Sequence, residues 1–161
     1  RKTLSFGSDE DFIPFKTKQV RLKHGGSEFQ RHPLRGFYDG GTICFHLIQI
    51  AYFLGYREMF LLGVDFSYSQ SKKNDPKVDV MTQTREKDRC DHFSRNYYAV
   101  GERWIPPDME QQGLAFENAD NFLRRNGGFL KNASRRTALK GIERVRLEEV
   151  LEKPQADSPL A

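Results

Sequence analysis

The chain has 161 residues, with 26 Lys and Arg against 22 Asp and Glu, which gives a formal net charge of +4 at pH 7. This length fits one domain, and no run reaches the roughly 18 apolar residues that a membrane span requires. The basic excess is small and spread along the chain, although Arg135, Arg136 and the stretch 140–146 make the C-terminal third locally positive. Nucleic-acid binding is therefore not favoured.

The two cysteines give no sign of a disulfide or a zinc site. Cys44 and Cys90 are far apart in sequence and lie in no Cys-x-x-Cys or Cys/His ligand pattern. Because no secretory leader is recognisable, reduced thiols in the cytoplasm are the expectation. The chain begins with Arg1 instead of Met, so we expect a processed protein, an expressed segment or a fragment.

The first 38 residues mix polar and aromatic side chains and predict only short strands, at 3–6 and 19–23. The next segment predicts a helix over 43–54, buried around most of its circumference. Its apolar residues recur at helical spacing, at Ile43, Leu47, Ala51 and Leu54. Thr42 can cap its start, and Gly55 suits a left-handed stop.

A short apolar run over 57–65 follows and ends on Asp65. Runs of this kind are typical of a strand covered on both faces in a parallel sheet. A helix, a glycine turn and a buried strand form half of a βαβ unit. The sequence therefore predicts an α/β fold.

The stretch 66–89 is polar and predicts a long loop. It leaves the carboxyl end of the predicted strand, where open α/β sheets bind ligands. A second helix is predicted over 108–125, capped by Asp108, and is followed by a short strand from Phe129 and an amphipathic element at 142–151. We expect one domain over 1–151 and a disordered tail at 152–161.

Two places in this pattern are candidates for ligand binding. Gly40, Gly41 and Thr42 open a helix, where free N–H groups and the helix dipole favour an anion, although plain capping explains them equally well. Asp65 lies where a strand meets a polar loop and could bind a hydroxyl or a metal. The alternative is that its carboxylate caps the next turn, at Ser67 and Tyr68.

Histidines supply the candidate acid or base. In Asp91-His92 a neighbouring carboxylate can orient the imidazole and raise its basicity, although this histidine could simply hydrogen-bond a loop backbone. His46 lies on the apolar helix, where a satisfied core histidine is the commoner outcome and a ligand-facing histidine is the alternative. Tyr97 and Tyr98 could stack on a flat base or sugar, or cover a sheet edge.

Four segments of the sequence resemble a known family: GGTICFHLIQIAYFLGYREMFLLGVDFSYS, DHFSRNYY, GERWIPPD and KNASRRTALKGIERV. The family is the bacterial and archaeal 6-hydroxymethylpterin diphosphokinase-like domain. It includes the central domain of flagellin-modifying motility-associated factors. Its core is similar to that of bacterial sialyltransferases that use CMP-N-acetylneuraminate. The resemblance covers residues 36–146, and the core of the domain is expected in this range.

The resemblance implies a Rossmann-like three-layer sandwich with a small, mostly parallel sheet. Its ligand crevice would lie between the 40–42 turn and Asp65. In the sialyltransferases a tyrosine just after this aspartate contacts the nucleotide phosphate, and here Tyr68 is the nearest tyrosine. The family's catalytic histidine falls near Asn96, a few residues beyond His92. Family members begin with a strand and a Gly-Asn-Gly-Pro-Ser-like loop, which 1–38 lack, so we expect the N-terminal half of the family fold to be missing.

The leading functional prediction is a glycosyltransferase-like enzyme that uses a nucleotide-activated sugar, with CMP as one candidate carrier, to build or modify a surface glycan. Gly40, Gly41, Thr42 and Tyr68 would bind the nucleotide, Asp65 the hydroxyls of donor or acceptor, and His92 would be the general base. This prediction needs no metal.

Two alternatives stay open. One is a diphosphokinase that acts on a pterin alcohol and needs Mg²⁺, with Asp65 and Asp91 as ligands. The other is a non-catalytic binding module of the same fold, which could form a homodimer through its aromatic N-terminal segment.

Overall fold

The computed structural model describes residues 16–67, 73–75, 78–82, 103–104 and 107–152. The predicted strand at 3–6 and the tail from 153 lie outside these residues. The elements run in the order β1 (Thr17–Gln19), a 3-10 turn (Pro33–Arg35), β2 (Phe37–Asp39), α1 (Ile43–Phe53), β3 (Glu58–Leu61), β4 (Lys73–Asp75), β5 (Val78–Thr82), β6 (Arg103–Trp104), α2 (Met109–Arg125), β7 (Phe129–Asn132) and α3 (Leu147–Leu151).

The strands form small sheets. β1 pairs with β2 in parallel, and β3 pairs with β7 in parallel, with Glu58 opposite Phe129 and Leu61 opposite Asn132. β4, β5 and β6 form an antiparallel sheet. Helices and short parallel pairs along one chain agree with the predicted α/β class. Among the described residues, no helix is long and apolar enough to cross a membrane.

The ends of α1 lie where the sequence predicts them. Thr42 is the N-cap, and its Oγ1 accepts a hydrogen bond from the Cys44 N–H at 3.3 Å. After Leu54, Gly55 adopts a φ of +100°, which a residue without a Cβ reaches at no steric cost. Local capping chemistry therefore fixed both boundaries.

The face on which α1 is buried was predicted wrongly. Ile43 and Leu47 are 67% and 55% exposed, whereas the buried residues are Phe45, Ile48 and Gln49. Most positions of this helix are apolar, so the spacing rule fits more than one stripe. The buried stripe is the one that faces Phe29 and the helix α2.

β3 is also covered differently from the prediction. Met59 and Leu61 are buried, but Phe60 is 37% exposed and Leu62 is 63% exposed. Within the described residues this strand is therefore covered on one face, because a continuous apolar run does not reveal which faces are packed. An open groove of about 240 Å³ lies here, and its apolar lining includes Leu47, Phe60 and Leu62.

Two other predicted elements differ in position. The strand predicted at 19–23 is β1, at Thr17–Gln19, while Leu22 beyond it is buried in the core. The loop prediction for 66–89 is wrong at 73–75 and 78–82, which form β4 and β5. β-Branched residues alternate with other types in β5, a pattern that favours a strand.

α2 is the central helix of the core, and it follows its prediction closely. The Asp108 carboxylate accepts a hydrogen bond from the Gln111 N–H at 3.0 Å and begins the helix. At the other end, Gly127 has a φ of +77° and the Gly128 N–H donates to the Leu123 carbonyl. The buried residues of α2 pack towards α1 and β7; among them are Leu114, Phe116, Ala119, Phe122 and Leu123.

Glu117 joins α2 to the turn after β1. Its Oε1 accepts from the Gly25 N–H at 2.7 Å, and its Oε2 lies 3.0 Å from His24 Nδ1. The Gly25 hydrogen bond, supported by His24, holds the pKa of Glu117 below its usual value of 4.5 against the opposing effect of burial. A carboxyl whose pKa is depressed on folding stabilises the fold above its unfolded pKa, and the stabilisation disappears as pH falls through the folded pKa.

Glu117→Gln is therefore expected to lower the free energy of unfolding by about 1 kcal/mol at pH 7. The loss should shrink as pH falls below 4.5, where the wild-type carboxyl takes up its proton. Urea denaturation at pH 7 and well below pH 4.5 measures both values. Glu58→Gln, at an exposed position of β3, is the control. An equal loss at both pH values would contradict this origin.

Candidate functional site

The carboxyl ends of β3 and β7 lie side by side, because these strands are parallel and in register. Two further segments reach the same edge through α2. Gln112 Nε2, in the first turns of α2, donates to the Gly41 carbonyl at 2.7 Å. The Phe66 ring packs edge-to-face on Phe116, with 6.2 Å between ring centroids. We call the turn 40–42, residues 62–67, the start of α2 and the loop 133–138 together the carboxyl edge.

The turn before α1 divides its three predicted residues into different roles. Gly41 is exposed, has a φ of +69°, and donates its N–H to Asp39 Oδ1 at 2.9 Å. Thr42 is half-buried and caps the helix. Gly40 is buried, and a Cβ built on it would lie 2.4 Å from Ala115 Cβ and 2.7 Å from Phe45 Cδ1. Gly40 thus permits the close packing of α1 on α2, whereas Gly41 faces solvent and Thr42 is half-buried.

We expect Gly40→Ala to destabilise the fold by about 1–3 kcal/mol, because the methyl group overpacks this contact. Gly113→Ala is the matched control. Its added Cβ meets only the Phe66 ring at 3.7 Å, and alanine is the better helix former. Chemical denaturation should show opposite signs for the two variants. An unchanged midpoint for Gly40→Ala would contradict the tight contact.

His46 and Asp39 form a pair behind this turn that the sequence did not indicate. His46 Nε2 lies 4.0 Å from Asp39 Oδ1, beyond hydrogen-bond distance, and the imidazole packs against Phe37 at 5.3 Å. Nε2 is buried and has no hydrogen-bond partner in the described part of the chain. The expectation of a satisfied core histidine is therefore wrong for this nitrogen. Asp39 also accepts from Gln19 Nε2 at 2.7 Å.

Asp65 lies just beyond the end of β3 with its side chain exposed. Its backbone carbonyl accepts a hydrogen bond from the Ala138 N–H at 2.7 Å. Within the described residues no hydrogen bond joins its carboxylate to the Ser67 N–H, while Tyr68, the other residue of the capping alternative, lies outside them. Within the described part of the chain, this exposed carboxylate is therefore accessible to a ligand.

Phe66 stores backbone strain next to Asp65. Its φ of +52° is unusual for a residue other than glycine, asparagine or aspartate. Its ring packs edge-to-face on Phe116 in the core. Residues in such conformations cluster at functional sites, where the surrounding structure maintains them.

The loop after β7 is joined to the end of β3 by buried polar groups. Ser134 Oγ accepts from the Val64 N–H at 2.9 Å, and Asn132 Oδ1 accepts from the Ser134 N–H at 2.9 Å. Asn132 Nδ2 donates to Thr137 Oγ1 at 3.2 Å. Sequence reasoning missed this network; its signal is a pair of polar residues directly after a short apolar strand.

Several predicted residues lie outside the described part of the chain. These are Tyr68, Asp91, His92, Tyr97 and Tyr98. Among the described residues, no group of three or more His, Cys, Asp or Glu side chains could hold a metal ion. Of the predicted residues, Gly41, Thr42 and Asp65 therefore lie at the carboxyl edge, and the predicted base lies outside the described residues.

Comparison of the chain with protein-family models, with curated proteins and with solved structures finds no match.

Proposed function

We propose that this chain is a nucleotide-dependent transferase domain, a glycosyltransferase-like protein that uses a nucleotide-activated sugar to build or modify a surface glycan. The supporting observation is that the turn before α1, the exposed Asp65 carboxylate and the polar loop after β7 meet at the carboxyl ends of parallel strands. Open α/β sheets bind their ligands at this edge. The proposal includes a Rossmann-like arrangement around the edge.

The donor phosphate is placed at the start of α1. The first N–H groups of a helix have no intrahelical partner, and the helix dipole makes them attractive to anions. Asp39 and Thr42 accept the N–H groups of Gly41 and Cys44, while no hydrogen bond within the described residues engages those of Thr42 and Ile43. Gly41, without a side chain, leaves room for a phosphate oxygen to approach.

Asp65 is assigned to the sugar hydroxyls. Its exposed carboxylate can accept hydrogen bonds from a pair of neighbouring hydroxyls, as carboxylates at strand ends commonly do with ribose. Its backbone is fixed by Ala138, so the carboxylate extends from a rigid position. Tyr68, which follows closely in sequence, is assigned to the nucleotide.

In the proposed reaction an acceptor hydroxyl attacks the anomeric carbon of the donor sugar. His92 takes the hydroxyl proton, a new carbon–oxygen bond forms, and the bond to the nucleotide phosphate breaks. The leaving phosphate oxygen keeps the bonding electrons. The N–H groups at the start of α1 stabilise the negative charge that develops on that oxygen.

A thermal-shift panel tests the proposal. The panel contains CMP-, UDP- and GDP-sugars, CMP, ATP with Mg²⁺, and a pterin alcohol. A ligand at about 100 times its dissociation constant adds roughly 2.7 kcal/mol to stability, and at least one nucleotide sugar should do so. Thermal stabilisation by ATP and a pterin alcohol that requires Mg²⁺ and is abolished by EDTA would instead support the diphosphokinase. No shift with any ligand would refute nucleotide binding and leave the non-catalytic module.

Asp65→Asn should weaken the binding of the stabilising nucleotide sugar by about 10-fold, since hydrogen bonds to a charged group contribute about 1.5–3 kcal/mol. Asp108→Asn is the control at the same edge, because asparagine keeps the N-cap of α2 while removing one negative charge. Calorimetric titration of both variants measures the difference. Equal affinities would remove Asp65 from the binding site.

A further inference from the structure

Two arginines project from the loop that follows β7, directly at the carboxyl edge. Arg135 and Arg136 are both exposed. Within the described residues, neither arginine forms an ion pair. The basic side chains that do form ion pairs there are Arg124, Lys131, Arg146, His24 and His46. As far as residues 16–67 and 107–152 and the short strands between them are concerned, the two guanidinium groups are therefore available to an anion from solution.

The backbone that carries the arginine pair is held on both sides. Arg144 Nη2 donates to the carbonyls of Ser134 and Arg135, at 3.3 Å and 3.1 Å. On the far side the Ala138 N–H donates to the Asp65 carbonyl at 2.7 Å. Since the loop is fixed in this way, less conformational entropy is lost when its side chains bind a ligand.

Hydrogen bonds also place this loop beside Asp65, the predicted ligand residue. Ser134, which immediately precedes the pair, accepts from the Val64 N–H, and Ala138, two residues after it, bonds to Asp65. The arginines thus extend from the part of the β7 loop that is joined to the end of β3. Hydrogen bonds to the end of β3, and not only their position in the sequence, therefore place the two arginines at the carboxyl edge.

A phosphate that binds at this edge would lie near negatively charged side chains, so positive charge is needed to offset the repulsion. The Asp65 carboxylate lies there, and the Asp39 carboxylate adjoins the edge through its hydrogen bond to the Gly41 N–H, so both would repel a phosphate group. An arginine guanidinium offers two parallel N–H donors that match phosphate oxygens, and it stays charged at any physiological pH. The arginine pair supplies the compensating positive charge.

We propose that Arg135 and Arg136 bind the phosphate group of the nucleotide ligand, an inference that rests on the function proposed above. The ligand class is a nucleoside mono- or diphosphate, free or as part of a sugar donor. The phosphate lies between the arginine pair and the start of α1.

Calorimetric titrations test this assignment with cytidine, CMP and CDP, the matching uridine series, and inorganic pyrophosphate. The proteins are the wild type, Arg135→Gln, Arg136→Gln and the double variant. Arg35→Gln, at an exposed arginine before β2, is the control. Arg135→Gln, Arg136→Gln and the double variant should each weaken binding of the phosphorylated ligands by about 10-fold to 100-fold and leave nucleoside binding unchanged. The control should bind every probe as the wild type does.

The outcomes separate this inference from the proposed function. If nucleotides bind the wild type and the double variant equally, the arginine assignment is overturned and the nucleotide-dependent function stands. If pyrophosphate binding is lost in the double variant while no nucleotide binds any protein, the arginine site stands and the nucleotide function falls. If the wild type binds none of the probes, both are overturned.

Discussion

Replacing Gln49 with leucine is expected to lower the free energy of unfolding by about 3–5 kcal/mol. Gln49 is completely buried in α1 and makes four hydrogen bonds. Its Oε1 accepts from the N–H groups of Gln30 and Tyr38, and its Nε2 donates to the carbonyls of Tyr38 and Phe45. Leucine leaves backbone groups without partners, each at a cost of about 1–3 kcal/mol.

The expected loss corresponds to a fall in melting temperature of roughly 10 °C for a chain of this size. Thermal and urea denaturation measure it. Gln111→Leu, a half-buried glutamine in the first turn of α2, is the control and should change stability by less than about 1 kcal/mol. A Gln49→Leu protein as stable as the wild type would show that these hydrogen bonds contribute little.

The effect of Gln49 reaches the candidate site, because this side chain binds both main-chain groups of Tyr38 in the middle of β2. Asp39 follows Tyr38 and receives the N–H of Gly41. Loss of Gln49 should therefore loosen the turn that opens α1 as well as the core. Ligand affinity and stability are expected to fall together in this variant.

Replacing His92 with alanine is expected to lower turnover by about 10²–10⁴-fold, the usual contribution of a general base. Nucleotide binding should be unchanged, because in the proposed reaction His92 acts on the acceptor hydroxyl and not on the donor phosphate. The measurement is the release of nucleotide from the sugar donor that stabilises the protein. Binding of the same donor is measured by calorimetry.

His32→Ala is the control for this experiment, since His32 is an exposed histidine before the 3-10 turn and its side chain makes no capping hydrogen bond. Its turnover should match that of the wild type. Unchanged turnover in His92→Ala would remove His92 from the mechanism. A parallel loss of donor binding would assign it to the nucleotide instead.

The ends of the helices could be predicted from capping residues close in sequence. The buried face of a helix could not, because it depends on packing against other elements. Thr42, Gly55 and Asp108 fix helix ends through contacts with their own neighbours along the chain, so the sequence predicted those ends correctly. The buried face of α1 depends on which stripe meets α2. Its nearly uniform apolar composition carries no information on that choice.

The candidate site divides in the same way. The positions of Gly41, Thr42 and Asp65, at the turn before α1 and beyond the end of β3, were predictable from the order of the local elements, and their role in ligand binding stays a prediction. The packing role of Gly40 depends on Ala115, which is distant in sequence. The bonds of Asn132 and Ser134 likewise depend on where β7 pairs with β3. Such long-range partners appear only in three dimensions.

An NMR titration of the ¹⁵N-labelled protein with the most stabilising nucleotide tests the central claim, that the carboxyl edge binds a nucleotide phosphate, most directly. We predict that the amide signals of Gly41, Thr42, Val64 and Arg136 shift together. Signals at the opposite end of the β3–β7 pair, such as that of Gly128, should stay in place. Shifts confined to that opposite end, or none at all, would contradict the claim.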